Sequence, residues 1–430
     1  MSSPSPSAPP HGMGRLARRE ARLAYKMLVP TFVVVLAVVL FPLLANFWIS
    51  AKPVELGDLR SARVIVQEQL RPRPKTAGQE VTLRYRIRNS SQKAPIEGVS
   101  LTDEIPAGLQ VNGDHPLCAI EGHEIFCDLA TLEPKKRVEI KIPVTVTQAY
   151  LDAGIRPRDS KPVTTGRSQN VLTSLEFTAA NFIKIFSRAE FWTVLRVSLY
   201  YTIFGTLGAL VLGLFAAQLL NTAFRGRNLL RGLFLFPYVA PVIAVAFAWV
   251  LLLDAGPGGT FNALLMQMGA TSEPINFLGQ RYVTIWVFGL EWQFPMALTT
   301  VIVFEAWRYF PLSFLFILAR MQSIGTDMFE AAEIDGATPF QQFWSLALPQ
   351  LLGILSVLFL LRFIWTFNKF DDIFLLTGGA AGTRTLTVDV YEQAFAVSNL
   401  GAGAAVAVVV FAVLLSFAIL FFWLSPQDDA

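Results

Sequence analysis

A polytopic α-helical membrane protein with about six transmembrane helices, carrying one soluble β domain inserted after the first, is the fold class this sequence predicts. Three observations predict it. Of 430 residues, 53% are apolar or aromatic and only 16% are charged, whereas ordinary soluble domains hold about 45–50% apolar and about 25% charged residues. The 35 basic and 32 acidic residues crowd the stretch from 50 to 170, while runs long enough to cross a bilayer are nearly free of them. Only two cysteines occur, which excludes a disulfide-built scaffold. The apolar excess excludes a disordered chain and an ordinary soluble enzyme. A net charge of +3 says little by itself, and no nucleic-acid partner is expected.

Residues 1–26 read as a basic cytoplasmic tail, disordered over its Ser/Pro/Gly-rich first fourteen residues. Arg15, Arg18, Arg19, Arg22 and Lys26 stand directly before the uncharged run Met27–Ile49. That run is about 34 Å long as a helix, enough to cross a hydrocarbon core of about 30 Å. A cleaved signal peptide is the competing reading, but the run is long for one, and Phe41-Pro-Leu-Leu-Ala-Asn-Phe-Trp ends bulky where a cleavage site is small. The positive-inside rule then puts the N-terminus in the cytoplasm and residue 50 outside.

Residues 51–165 change character. Val81-Thr-Leu-Arg-Tyr-Arg-Ile-Arg and Val138-Glu-Ile-Lys-Ile-Pro-Val-Thr-Val-Thr alternate apolar and polar residues, the period of half-buried strands, and predict a small extracytoplasmic β-sandwich. Cys118 and Cys127 flank a candidate turn at Glu121-Gly-His. An oxidising compartment favours a disulfide between them. The alternative is a zinc site from His115, Cys118, His123 and Cys127, whose ligand types fit a tetrahedral ion but whose spacing matches no zinc motif; no metal is expected.

From about 172 the chain returns to the membrane. Phe191–Leu220 is the second span, with Gly205, Gly208 and Gly213 as small residues that permit close helix packing. Arg225, Arg227 and Arg231 place the next loop in the cytoplasm. Gly232–Leu253 is the third span, interrupted by Pro237 and Pro241, a break that frees carbonyls which protein or water must satisfy. Asp254–Phe294 is expected outside, with Trp286–Leu290 as an alternative piece of an extra span. Met296–Ala319, Leu351–Leu376 and Ala402–Leu424 complete six spans, with both termini cytoplasmic.

The segment between the fourth and fifth spans is therefore cytoplasmic. An ordinary cytoplasmic loop is positively charged, but residues 321–349 contain four acids and no Lys or Arg. Asp327 with Glu330 is a capping-box-like helix start, Gly336 a left-handed stop, and Thr338, Pro339 and Gln341 open a second short helix. Pro349 is expected to open the fifth span. The product is a helix-turn-helix over 326–349 that projects carboxylates from Glu330, Glu333 and Asp335.

Glu330-Ala-Ala-Glu-Ile-Asp-Gly-Ala, with Leu348-Pro349, resembles the EAA motif of permease subunits of ABC importers. The resemblance implies that Glu330, Ala331, Ala332, Asp335, Gly336, Ala337 and Pro349 belong to coupling helices that dock into an ATPase subunit. Phe191-Trp, Leu199-Tyr-Tyr-Thr, Phe236-Pro-Tyr-Val-Ala-Pro, Trp307-Arg-Tyr-Phe-Pro and Trp365-Thr-Phe-Asn-Lys-Phe-Asp extend it to the maltose-type carbohydrate permeases, over 27–50 and 172–424. It implies a bacterial inner-membrane, multi-pass subunit without enzymatic activity or a bound cofactor. ATP and Mg are used by a partner dimeric ATPase; a second permease, an extracytoplasmic sugar-binding protein and membrane lipid complete the partners. The inserted domain, from Leu101-Thr-Asp-Glu-Ile-Pro-Ala-Gly-Leu to Leu129-Ala-Thr-Leu-Glu-Pro, resembles the immunoglobulin-like repeats of bacterial surface proteins.

Charges inside spans usually face a bundle interior or a water-filled cavity. Glu305 and Arg308 lie three apart, and Trp365 and Lys369 four apart beside Asn368, so each pair shares a helix face. With Tyr309, Arg362 and Thr366 these are the candidate substrate path for a polyhydroxylated solute; the alternative is that Glu305 pairs with Arg308 or Arg362 only to neutralise buried charge. Positions falling on the family's sugar contacts include these and Leu312, and most differ in type, so maltose is not implied. No Gly-x-x-x-x-Gly-Lys-Ser/Thr loop occurs; Gly378-Gly-Ala-Ala-Gly-Thr-Arg lacks the Lys. Two other classes compete: an ion- or proton-coupled secondary transporter using Glu305, Asp371 and Asp372, which leaves the acidic cytoplasmic segment unexplained, and a surface receptor, which needs fewer spans.

Overall fold

The computed structural model describes residues 15–424 apart from 92, 155–160 and 288; the expected disordered stretch 1–14 lies outside the described residues. Among the described residues, five helices are long and apolar enough to cross a membrane: Leu23–Ser50, Ala189–Asn221, Met296–Gln322, Pro339–Phe367 and Leu400–Leu424. Between the second and third of these stands a broken pair, Arg227–Val239 and Val242–Leu252, bent by 93°. The third span expected to be interrupted by Pro237 and Pro241 is thus two helices meeting at Ala240-Pro241. Proline has no N–H to continue the ladder, and its ring clashes with the carbonyl four residues back.

Two expectations about helix ends are corrected. Helix starts at Arg15 rather than at the first apolar residue, so the basic stretch continues the first segment. Pro349 stands in the first turn of the α-helix Leu348–Phe367, as expected, and helical structure continues on its N-terminal side to Pro339. A π-turn at Phe343–Ala347 precedes it, with Leu348 N–H donating to the Phe343 carbonyl. Pro42 likewise follows a π-turn at Val35–Leu40, where Phe41 N–H donates to Leu36. Widening the ladder by one residue carries a proline inside a helix without forcing its ring against a bonded carbonyl. The same segment stops at Asn368, whose Nδ2 donates to the Ile364 carbonyl at 2.9 Å, not at Leu376; Asp371–Thr377 is a separate short helix.

The second and fourth segments form the central contact. A Cβ on Gly205 would meet Glu305 Cγ at 2.9 Å, one on Gly208 would meet Ala306 Cβ at 2.8 Å, and one on Gly213 would meet Ser313 Cβ at 2.7 Å. The three glycines thus let the two backbones approach where no other residue fits. The first segment, by contrast, is exposed from Leu23 to Phe41 and joins the bundle at its far end. There Phe47 packs edge-on against Phe411 at 5.8 Å, and Gly401 N–H donates to the Val54 carbonyl at 2.9 Å.

The inserted domain is two antiparallel four-stranded sheets. In strand order they are β1 (Val64–Arg71), β2 (Glu80–Asn89), β7 (Arg137–Val146) and β4 (Leu109–Val111), then β5 (Cys118–Glu121), β6 (Glu124–Leu132), β3 (Ile96–Glu104) and β8 (Val163–Arg167). Leu83, Tyr85 and Ile87 from one sheet and Val99, Leu101 and Ile125 from the other share one core, as the two-residue alternation requires. Tyr85 donates to buried Asp103 at 2.9 Å, and burial with the nearby Glu68 and Asp103 charges pushes its phenol well above the ordinary range. Cys118 and Cys127 stand opposite each other in the register and are joined as a disulfide. The disulfide takes both sulfurs that the zinc alternative would need as ligands.

Residues 254–294 are not featureless. They hold a helix, Thr260–Gln267, and a hairpin of β9 (Val283–Val287) and β10 (Leu290–Phe294). The alternative of a spanning piece at Trp286–Leu290 is overturned by that hairpin, whose two strands pair antiparallel across a turn containing Gly289 at φ +80°.

Candidate functional site

Two arrangements follow from this packing: a charge network inside the bundle and an exposed acidic helix at one end. The network centres on Glu305, fully buried in the fourth segment. Arg362 Nη2 donates to its Oε1 at 2.7 Å, Thr366 Oγ1 to the same oxygen at 2.9 Å, and Tyr201 OH to Oε2 at 2.9 Å. A buried carboxylate is tolerable only when paired and hydrogen-bonded; here three donors from two neighbouring helices satisfy it. Gly205 makes the room, since any side chain there would strike Glu305.

Arg308 does not pair with Glu305. Its Nη1 and Nη2 donate to the Pro237 and Ala240 carbonyls at 3.4 and 3.2 Å. Those carbonyls are left open by the proline break, since Pro241 has no N–H to give Pro237. The guanidinium therefore caps the broken pair. On its other side it lies 3.9 Å from Asp372, which is also 3.9 Å from Lys369 Nζ. The Tyr309 ring collects all three cations on or near its face, with Lys369 Nζ at 4.1 Å, Arg362 Cζ at 4.7 Å and Arg308 Cζ at 5.5 Å from its centroid; Lys369 also donates to the Tyr309 hydroxyl.

In front of this network opens a cavity of about 470 Å³, lined among others by Tyr238, Tyr309, Arg362, Trp365, Asn368 and Lys369. Of the residues expected to face solute, Tyr309, Arg362, Trp365, Asn368 and Lys369 line it. Glu305, Arg308 and Thr366 stand behind it and hold the lining in place. Trp365 is half exposed, presenting an aromatic face beside an amide and an ammonium. Such a wall stacks on C–H faces and bonds hydroxyls. Tyr201, Tyr238 and Asp371 are additions. Tyr201 was legible in principle, because it shares a helix face with Gly205 four residues on, while Tyr238 reaches the site only through the bend.

The acidic helix spans Thr326–Ile334 and has no buried residue. It starts from Gly325 with no side-chain cap; Asp327 sits in its first turn, favourable to the helix dipole, rather than capping it. Gly336 follows at φ +80°, a conformation L side chains avoid. Thr338 and Gln341 open the next helix as expected, and do so by forming a capping box. Glu330, Glu333, Asp335 and Ala331 are exposed, Ala332 and Ala337 half-buried, and Pro349 exposed. Ile334, Phe340 and Trp344, at 87%, 71% and 53% exposure, add an apolar margin to this surface.

A family model described as binding-protein-dependent transport system inner membrane component matches residues 209–427, a stretch that contains the acidic helix and Glu305, Arg308, Arg362 and Lys369 of the network but not Tyr201. The inner membrane ABC transporter permease protein YcjO of Escherichia coli (strain K12) is 34% identical over 237 residues, covering 55% of this chain and 75% of that protein. The trehalose/maltose transport system permease protein MalF of Thermococcus litoralis is 33% identical over 242 residues, covering 56% and 77%. Among solved structures, a bacterial ABC transporter involved in the import of the acidic polysaccharide alginate aligns over 59% of this chain and 86% of its own, at 19% identity and a TM-score of 0.49.

Proposed function

The chain belongs to the family of binding-protein-dependent transport system inner membrane components and is a permease subunit of an ABC importer; from that premise we propose that its cargo is a sugar or oligosaccharide. An extracytoplasmic binding protein delivers the solute, a second permease completes the pore, and a separate dimeric ATPase supplies the work. This chain binds neither ATP nor Mg itself.

The observation that carries the coupling part is the exposed helix Thr326–Ile334, whose residues are all unburied although it stands between two long apolar helices. A surface of carboxylates rimmed by Ile334, Phe340 and Trp344 suits a cleft on a protein partner. Glu330, Ala331, Ala332, Asp335, Gly336 and Ala337 form the contact, with Pro349 setting the helix behind it. A helix continuous from Pro339 to Phe367 joins this surface to Arg362, Trp365 and Thr366, so rigid-body movement at one end reaches the cavity at the other.

The topology proposed has six crossings, counting the broken pair as one, with both termini cytoplasmic and the disulfide-bearing domain outside. Two face-to-face antiparallel sheets support an immunoglobulin-like reading of that domain, whose expected end at 165 moves to Arg167 with the last strand, and 172–424 is the permease core. Its position after the first crossing supports a role in meeting the binding protein. The cavity wall of Trp365, Tyr238, Asn368 and Lys369 supports sugar recognition, and relatives bearing trehalose/maltose and sn-glycerol-3-phosphate transport names agree with a polar, hydroxylated cargo. The test is ATPase stimulation in the reconstituted transporter by the binding protein loaded with oligosaccharide or with an amino acid. Stimulation by the oligosaccharide-loaded form alone is expected; equal stimulation by the amino-acid-loaded form would overturn the sugar assignment.

A further inference from the structure

Arg196 departs from the rule that charges in membrane helices face inward. It is exposed, on the same stripe of the second segment as Trp192, Tyr200, Phe204 and Phe215, all exposed and apolar-faced. The segment is 33 residues long, about 50 Å at 1.5 Å per residue, against about 30 Å of hydrocarbon. Arg196, about 10 Å from the start at Ala189, therefore lies where the hydrocarbon gives way to lipid headgroups. Its Nε donates to the Trp192 carbonyl at 3.3 Å, which leaves both Nη groups without a protein partner among the described residues.

Beside it opens a cleft of about 360 Å³, separate from the solute cavity, in which Arg196 is joined by Arg281, Thr193, Tyr200, Tyr282 and Gln293. No carboxylate lines it, and among the described residues neither arginine is within ion-pair reach of one. Arg281 is held in place rather than loose. It lies over the Tyr282 ring at 5.2 Å and against the turn at Gly382, where φ is +79° and a Cβ would strike Arg281 Nε at 2.9 Å. The cleft is rooted in the β9–β10 hairpin, one residue before the next segment opens at Met296, so both sides of it stand at the same membrane depth. The hairpin's register sets Ile285 opposite Trp292, and Trp292 and Leu290 are 63% and 74% exposed. A hairpin that exposes Trp286 on one face and Trp292 on the other suits the membrane–water interface at this level.

We infer that this cleft binds the phosphodiester of an anionic phospholipid, with the two guanidiniums on the phosphate, the tyrosine hydroxyls and Gln293 around the headgroup, and the acyl chains along Tyr200, Phe204 and the hairpin. Two planar guanidiniums match a phosphate bidentately. No carboxylate in the lining offers a choline or ethanolamine cation an ion pair, and the two guanidiniums repel it, so phosphatidylglycerol is preferred to phosphatidylcholine. Each arginine near a lipid surface contributes enough attraction for the pair to give a preference of roughly tenfold or more.

The test is native mass spectrometry of the assembled transporter, carried in detergent with phosphatidylglycerol or phosphatidylcholine added, for the wild type, Arg196→Gln/Arg281→Gln and Arg196→Lys/Arg281→Lys. Preferential retention of phosphatidylglycerol that disappears in the Gln pair and persists, weakened, in the Lys pair is the expected result. Equal retention of the two lipids by the wild type, or unchanged retention in the Gln pair, overturns the assignment. Inorganic phosphate at millimolar concentration is the second arm: it should not displace the lipid, and displacement would mark the cleft as a site for free anions instead.

Discussion

Arg362 Nη2 lies 2.7 Å from Glu305 Oε1, with both side chains out of reach of solvent. Removing one member leaves an uncompensated buried charge, which costs about 3–5 kcal/mol, whereas replacing both by apolar groups of similar size is often neutral. Glu305→Ala and Arg362→Ala should each lower the melting temperature of the purified protein strongly, while Glu305→Leu/Arg362→Met should recover most of that loss. A double variant as unstable as the sum of the singles would show that the pair is not an isolated neutralising contact.

Arg308 supplies the donors for the carbonyls that the broken helix leaves open. Arg308→Met keeps much of the volume and removes the donors, exposing two buried acceptors at about 1–3 kcal/mol each. The expected readout is faster proteolysis between Arg227 and Leu253 together with a lower melting temperature. Proteolysis at the wild-type rate would assign the capping of those carbonyls to something else.

Gly336 stands at φ +80°, where proline, fixed near −65°, cannot follow. Gly336→Pro therefore redirects the acidic helix, and Glu330→Lys reverses a charge on its exposed face at little stability cost. Both proteins should reach the membrane, yet lose transport and lose stimulation of the ATPase by the binding protein. Normal transport by both would remove the helix from the coupling path.

The linker into the β domain is tied to the bundle at several points, including Asn181 Nδ2 to the Ser50 and Lys52 carbonyls at 2.9 and 2.8 Å and Trp48 Nε1 to the Leu172 carbonyl at 2.8 Å. Residues 60–167 can therefore be exchanged for a short Gly/Ser linker without loosening the helices. Weaker docking of the binding protein is expected in a sedimentation or surface-capture assay, and wild-type affinity would exclude the domain from that contact.

Much of this architecture was legible because its signals are local. The alternation in Val81–Arg88, the helix start at Thr338–Gln341 and the spacing of Gly205, Gly208 and Gly213 each report one element and need no partner to be read. What escaped depends on distant residues. Arg308 offers Glu305 as its obvious neighbour, three residues away, but the carbonyls of Pro237 and Ala240 become its acceptors only once the third segment bends by 93°. The hairpin at 283–294 lacked a strong turn pair such as Asn-Gly, so its alternation was hidden within an expected loop. Five of the eight residues expected to face solute line the cavity; the other three share its helix faces but point into the packed interior.

The central claim is that movement of solute through this chain is driven by ATP hydrolysed elsewhere. Proteoliposomes containing this chain, the second permease, the ATPase and the binding protein test it directly through uptake of labelled oligosaccharide. The account predicts uptake only when ATP is enclosed and the ATPase is present, with no response to a proton gradient alone. Uptake driven by a proton gradient without ATP or the ATPase would contradict it.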